Sequence, residues 1–198
     1  MRFKQRALLL AVVSTVVLAV GACSGSEPES GPSSPSVGVV ALESISGAER
    51  MDANGVGIDV APGFVAEQFV RQDGETVILR ITAESDPDIS VLVLTVTRVD
   101  PPATDADVSL SLYLQRQQTL GQRDVSGVVD TQVTWSGFPD AVGFDAVEKA
   151  EGKPYDLRAM MTRDDLGARL VGVQVWSLPG KLEESVGWQM ARTVRADG

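Results

Sequence analysis

The sequence predicts an α+β fold, and three observations carry that expectation. A series of short segments alternates apolar and polar residues between Gly, Pro and Asp turns, as strands do. Two segments, near 105–120 and 181–195, instead carry stripes at helical spacing. Two of the strand segments, 89–99 and 169–178, are apolar on both faces, so the sheet must be covered on both sides.

The chain opens with a basic start, Arg2, Lys4 and Arg6, followed by an uncharged run from Ala7 to Val20. Val20-Gly21-Ala22-Cys23 closes the run. A positive start, a short apolar core and small residues before a cut describe a secretory signal peptide over 1–22. The competing expectation, an uncleaved anchor, needs about 20 apolar residues and a basic flank, and this run has neither. The tetrapeptide resembles a bacterial lipobox. Small Gly21 and Ala22 let the chain enter a peptidase cleft, cleavage falls between Ala22 and Cys23, and the Cys23 sulfur accepts a diacylglyceryl group. Each buried methylene contributes about 0.8 kcal/mol, so two acyl chains hold a protein at a membrane where one does so marginally. The expected location is the outer face of the cell membrane.

Loss of the three basic residues of the leader takes the formal net charge from −10 to −13. Such a surface disfavours nucleic acid and anionic lipid, which leaves attachment to the anchor. Cys23 is the one cysteine, so the domain has no internal disulfide and rests on its core. The segment 23–39 begins CSGSEPESGPSSPS, too rich in Ser, Pro and Gly to form a core, and is expected to be a flexible tether. Fourteen such residues span roughly 20 Å root-mean-square. Residues 40–198 make the single globular domain.

Within it, Gly57–Val60 alternates and ends at Pro62-Gly63, Phe64–Arg71 is a weaker strand, and Thr76–Thr82 alternates well. Ser85-Asp86-Pro87-Asp88 is a turn before the doubly apolar strand Ile89–Val99, which Pro101-Pro102 stops. Thr104 and Asp107 form a capping box for a helix to Leu120, with Gly121 as its stop and Leu110, Tyr113, Leu114, Gln117 and Leu120 as its stripe. Alternation over Val108–Leu112 leaves a strand open as the competing reading. Strands follow at Val128–Trp135, Ala141–Glu148, Tyr155–Arg163 and Arg169–Leu178, joined by short turns and hence mostly antiparallel. A last helix, Lys181–Arg195, carries Leu182, Val186, Met190 and Val194.

This order of lipobox, tether, early strands, capped helix, a Trp135-Ser-Gly-Phe138-Pro139 bend, hairpin-linked strands and C-terminal helix resembles the LpqN-type lipoproteins of mycobacteria and related actinobacteria. The resemblance covers roughly residues 40–196. It implies a Mog1/PsbP-like α/β/α sandwich on a mostly antiparallel sheet. It also implies a non-enzymatic binding or adaptor domain for an envelope lipid, glycolipid or protein, and brings no catalytic residues.

The residues themselves exclude much chemistry. Without histidine there is no Ser-His-Asp triad and no His-ligated zinc, and no cofactor or metal is implied. Asp86 with Asp88, Asp105 with Asp107, and Asp164 with Asp165 sit at turns or a helix start, where Asp bonds the local backbone. A carboxylate hydrolase acting on an envelope polysaccharide and a structural surface spacer stay as alternatives. Trp135 and Trp176 fall in strands and read as core. Trp188 falls off its helix stripe; a residue so placed more often packs under a loop, and the competing reading is an exposed anchor, which with Trp135 and Phe138 of the bend forms the candidate binding set.

Overall fold

The computed structural model describes residues 34–196 and places them in one α+β unit. The leader, the cleavage site and Cys23 lie outside the described residues. Eight strands form one mixed sheet, ordered β1-β7-β8-β9-β10-β6-β5-β4, where β1 is Ser36–Val39, β4 Phe64–Val70, β5 Thr76–Ala83, β6 Asp86–Arg98, β7 Asp124–Trp135, β8 Val142–Ala150, β9 Lys153–Arg163 and β10 Arg169–Ser177. Every neighbour pair in it is antiparallel except β1 with β7. A small second sheet, ordered β11-β3-β2, joins Arg195–Ala196 (β11), Val56–Val60 (β3) and Glu49–Ala53 (β2).

The doubly apolar segments become β6 and β10, neighbours in the middle of the large sheet. Val171, Val173, Val175, Leu92, Leu94 and Val96 pack against the small sheet and the short helix α2 (Val186–Ala191). On the opposite face, Phe144, Ala146, Leu157, Ala159 and Trp176 form a second cluster with Leu112 of the long helix α1 (Asp105–Gln122). The sheet is therefore covered on both sides, as two apolar faces require.

Several expectations need correction. β1 lies inside the segment expected as tether, because Val37 and Val39 are buried and pair beside Val133 and Trp135. β2 has no apolar alternation to announce it; its Arg50 donates to the buried Asp59 of β3 at 2.9 Å. Of the expected turn at 85–88, Asp86, Pro87 and Asp88 are taken up into β6 and the turn falls at Glu84-Ser85, with register shifts beside Thr82. The C-terminal helix shrinks to six residues, started by the Ser185 hydroxyl accepting from Trp188 N–H, and Arg195 leaves it for β11.

α1 starts as expected. Thr104 is its N-cap, and the reciprocal capping box with Asp107 is complete. Hydrogen bonds from the Thr104 backbone and then its hydroxyl hold the Asp107 carboxyl below its ordinary value of 3.8. The cap's contribution is thus complete above pH 3.8 and fades as pH falls below it, through the lowered value. Thr104→Ala removes this cap, and urea titration at neutral pH should show a loss of about 1 kcal/mol. The helix runs through Gly121 to a cap at Arg123, past the expected stop.

Its orientation is the larger surprise. Val108, Leu112, Gln115 and Thr119, spaced i, i+4, i+7 and i+11, turn toward the sheet. Small residues make room there: a Cβ at Gly172 would meet Met161 Cε at 3.0 Å, with Gln115 Nε2 at 3.9 Å. The stripe expected to face the core faces solvent instead: Leu110 is 55 % exposed, Tyr113 55 %, Leu114 58 % and Leu120 40 %.

Candidate functional site

Part of that outward stripe lines an open groove of about 870 Å³. Leu110, Ser111 and Leu114 of α1 form one wall, and Val99–Ala103 with Asp107 forms another. Arg98 at the end of β6, Ala168–Leu170 at the start of β10 and Glu75 close it. Its volume lies within the range of ligand sites, roughly 300–1,000 Å³.

The walls are held by backbone bonds. Arg98 N–H donates to Glu75 O, Val99 N–H to Ala168 O, and Ala103 N–H to Gly167 O at 2.7 Å. Gly167 has φ +70°, and a Cβ there would lie 2.8 Å from Ala103 O, so the Pro101-Pro102 segment approaches this turn as only glycine allows. Asp164, buried beneath, accepts from Arg169 through its backbone N–H and through the guanidinium at 2.9 Å. That pairing fixes the Arg169 side chain, which packs against Gly55. Arg98 is exposed at the rim and makes no ion pair among the described residues.

The result is an apolar trough of Val99, Pro101, Pro102, Leu110, Leu114 and Leu170 with a charged rim of both signs: Arg98 and Arg169 against Glu75, Asp100 and Asp107. It can take an elongated apolar body with a polar end. The sequence announces parts of it, the Pro-Pro break and Leu110–Leu114 at i, i+4. Arg98 and Leu170 could not be joined to them without the β6–β10 pairing.

The aromatic candidates lie elsewhere. Trp135 and Phe138 are interior, with ring centroids 5.2 Å apart at 63°, an edge-to-face pair that closes the end of β7. Trp188 is 5 % exposed, which agrees with the packed reading and sets aside the exposed anchor. The Arg158 guanidinium lies 5.0 Å from the centre of its ring. Arg158 is itself buried and bonds Asp145 through Nε at 2.8 Å and Nη2 at 2.9 Å. Burial works against its charge, but Asp145 and then Glu183 outweigh burial and raise its pKa.

The buried acids are each paired. Asp59 pairs with Arg50, and Asp164 with Arg169. Glu148 lines a smaller cleft of about 340 Å³ with Asp88, Tyr155 and Trp176. Its two oxygens accept from Arg123, and Oε2 also accepts from Trp176 Nε1 at 2.7 Å. Both oxygens of this carboxylate are thus engaged as hydrogen-bond acceptors within the fold. Among the described residues, no three His, Cys, Asp or Glu side chains converge as metal ligands, and no helix is long and apolar enough to cross a membrane.

No family model and no curated protein matches the chain. Among solved structures, one from Bacteroides thetaiotaomicron aligns with 72 % of this chain at 10 % identity and a TM-score of 0.35. The chain spans 45 % of that protein's length. A Pseudomonas aeruginosa protein of unknown function aligns with 74 % of this chain and 94 % of its own, at 17 % identity and a TM-score of 0.34.

Proposed function

We propose that the protein is a non-enzymatic cell-envelope lipoprotein whose α1 groove holds an amphipathic ligand of the lipid or glycolipid class. The observation that carries this reading is the outward apolar stripe of α1 meeting the trough at Pro101-Pro102. A surface with a strong acidic balance has no solubility reason to expose Leu110 and Leu114 beside Val99 and Leu170. The acyl portion lies along these side chains, and the polar head meets Arg98 and the rim acids. The leader and Val20-Gly21-Ala22-Cys23 supply the placement: a diacylglyceryl group on Cys23 holds the domain at the outer face of the cell membrane. Helices on opposite faces of a largely antiparallel sheet are consistent with the resemblance to LpqN-type proteins and the Mog1/PsbP arrangement.

Two measurements test the two halves separately. Intact-mass analysis of the mature protein should show cleavage before Cys23 and a diacylglyceryl adduct, lost in Cys23→Ser. A bare thiol on the wild-type protein would end the envelope placement. For the groove, the protein purified from membranes is examined by native mass spectrometry for co-purifying lipid. Leu114→Glu should lower lipid occupancy at least about tenfold, the equivalent of 1.4 kcal/mol. As a surface change it should alter stability by no more than about 0.5 kcal/mol. Equal occupancy in Leu114→Glu and wild type would remove the groove from consideration.

A further inference from the structure

The two ends of the large sheet are treated differently. β1 ends one side with four residues, and short edge strands are one way in which sheets resist pairing with other chains. β4 ends the other with seven residues, Phe64–Val70, and contains neither proline nor a register shift. Arg71 N–H donates to Thr76 O and Glu84 N–H to Gly63 O, so the odd-numbered residues of β4 carry the bonds to β5. The N–H and C=O groups of Ala66, Gln68 and Val70 therefore point away from the sheet. α1 packs over β7, β8 and β9 and leaves this end uncovered. Val65 is 46 % exposed, Phe69 48 % and Val70 59 %.

We infer that β4 pairs antiparallel with β4 of a second copy of this chain, with Phe69 on the two-fold axis. Charge selects that register. Outward-pointing groups must meet outward-pointing groups, so the axis passes through one residue of the strand. An axis at Glu67 sets that carboxylate against its own copy, which is destabilising. An axis at Phe69 places Glu67 directly opposite Arg71 of the second copy, twice, on the same face as a Phe69–Phe69 contact. Gln68 and Val70 then exchange backbone bonds, about four in all. Arg80, which approaches Glu67 at 3.8 Å within its own chain, extends the charge row. The pairing joins two sheets and covers two apolar edges. It requires nothing of the α1 groove or of Cys23, so it stands or falls separately from the function proposed above.

The test uses the full chain carrying Cys23→Ser, so that neither acyl chains nor a native thiol confuse the readout. Sedimentation equilibrium should show a monomer–dimer system. Arg71→Glu should weaken dimerisation at least about tenfold, and Glu67→Arg with Arg71→Glu together should restore it. Phe69→Cys in the same background should cross-link efficiently under mild oxidation. Residues facing each other between ladder bonds have Cα atoms about 4.5 Å apart, within disulfide reach. Val65→Cys should not cross-link, because that register sets it opposite the turn at Asp73. A chain that stays monomeric at high concentration overturns the inference. So does a dimer indifferent to Arg71→Glu, or one in which Val65→Cys cross-links as readily as Phe69→Cys.

Discussion

Phe144→Ala should lower stability by about 3–5 kcal/mol, and urea unfolding followed by tryptophan fluorescence measures it. Phe144 is 1 % exposed and is the largest fully buried side chain of the cluster beneath α1, which also holds Ala146, Ala159, Leu157 and Trp176. Two of those neighbours are alanines and two lie on paired strands, so little can collapse into the space left behind. For a domain of this size each kcal/mol moves the melting temperature by about 2–4 °C, so a shift of roughly 10 °C is expected. The loss also reaches the groove. α1 rests on this cluster through Leu112, and its remaining inward residues include the polar Gln115 and Thr119. Hydrogen exchange should therefore accelerate in α1 before it does in β6 or β10. Leu110→Ala on the outward face of the same helix should leave exchange and stability nearly unchanged. A Phe144→Ala protein as stable as wild type would mean that the cluster is not the support of the helix.

The contrast between those two substitutions explains why the sequence misdirects at this element. α1 carries two plausible faces. Leu110, Tyr113, Leu114 and Leu120 are the more apolar, and a helix viewed alone turns its most apolar face inward. The sheet beneath offers Ala146, Ala159 and Gly172, which accept the narrower Val108–Leu112–Gln115–Thr119 face. Tertiary context overrides the amphipathic pattern, and the face it displaces becomes the groove wall. Where burial is symmetric or alternates simply, the pattern suffices: β5, β9 and β10 fall close to their expected spans, and the doubly apolar β6 and β10 are central. β2 was invisible because Glu49-Arg50-Met51-Asp52 is charged, and its place depends on the Arg50–Asp59 pair across two strands. β1 was hidden in a Ser-rich context, because four residues in a parallel pairing carry no local signal.

Trp188 is the second place where removal of one side chain should be costly, and the outcome separates a core residue from a surface anchor. As an exposed anchor, its replacement by alanine would change stability by about 0.5 kcal/mol or less. Buried at 5 % exposure among Leu182, Met190 and the inner face of the large sheet, Trp188→Ala should cost about 3–5 kcal/mol in urea titration. The residue also shields a charge. Arg158 is 6 % exposed, lies over the indole face and is neutralised by Asp145 and Glu183. Without the ring, water reaches the guanidinium, and an attraction worth about 2 kcal/mol when desolvated is lost. Some of that loss is recovered because hydration of the charge improves, so the cavity term dominates. Trp188→Phe decides the apportionment. It keeps an aromatic face for Arg158 and most of the volume, and should recover more than half of the alanine loss. Recovery of less than that would place the larger share in the close fit of the indole against β10, where Gly187 also sits. A Cβ at Gly187 would lie 2.8 Å from Val91 O, so α2 cannot slide to refill the space.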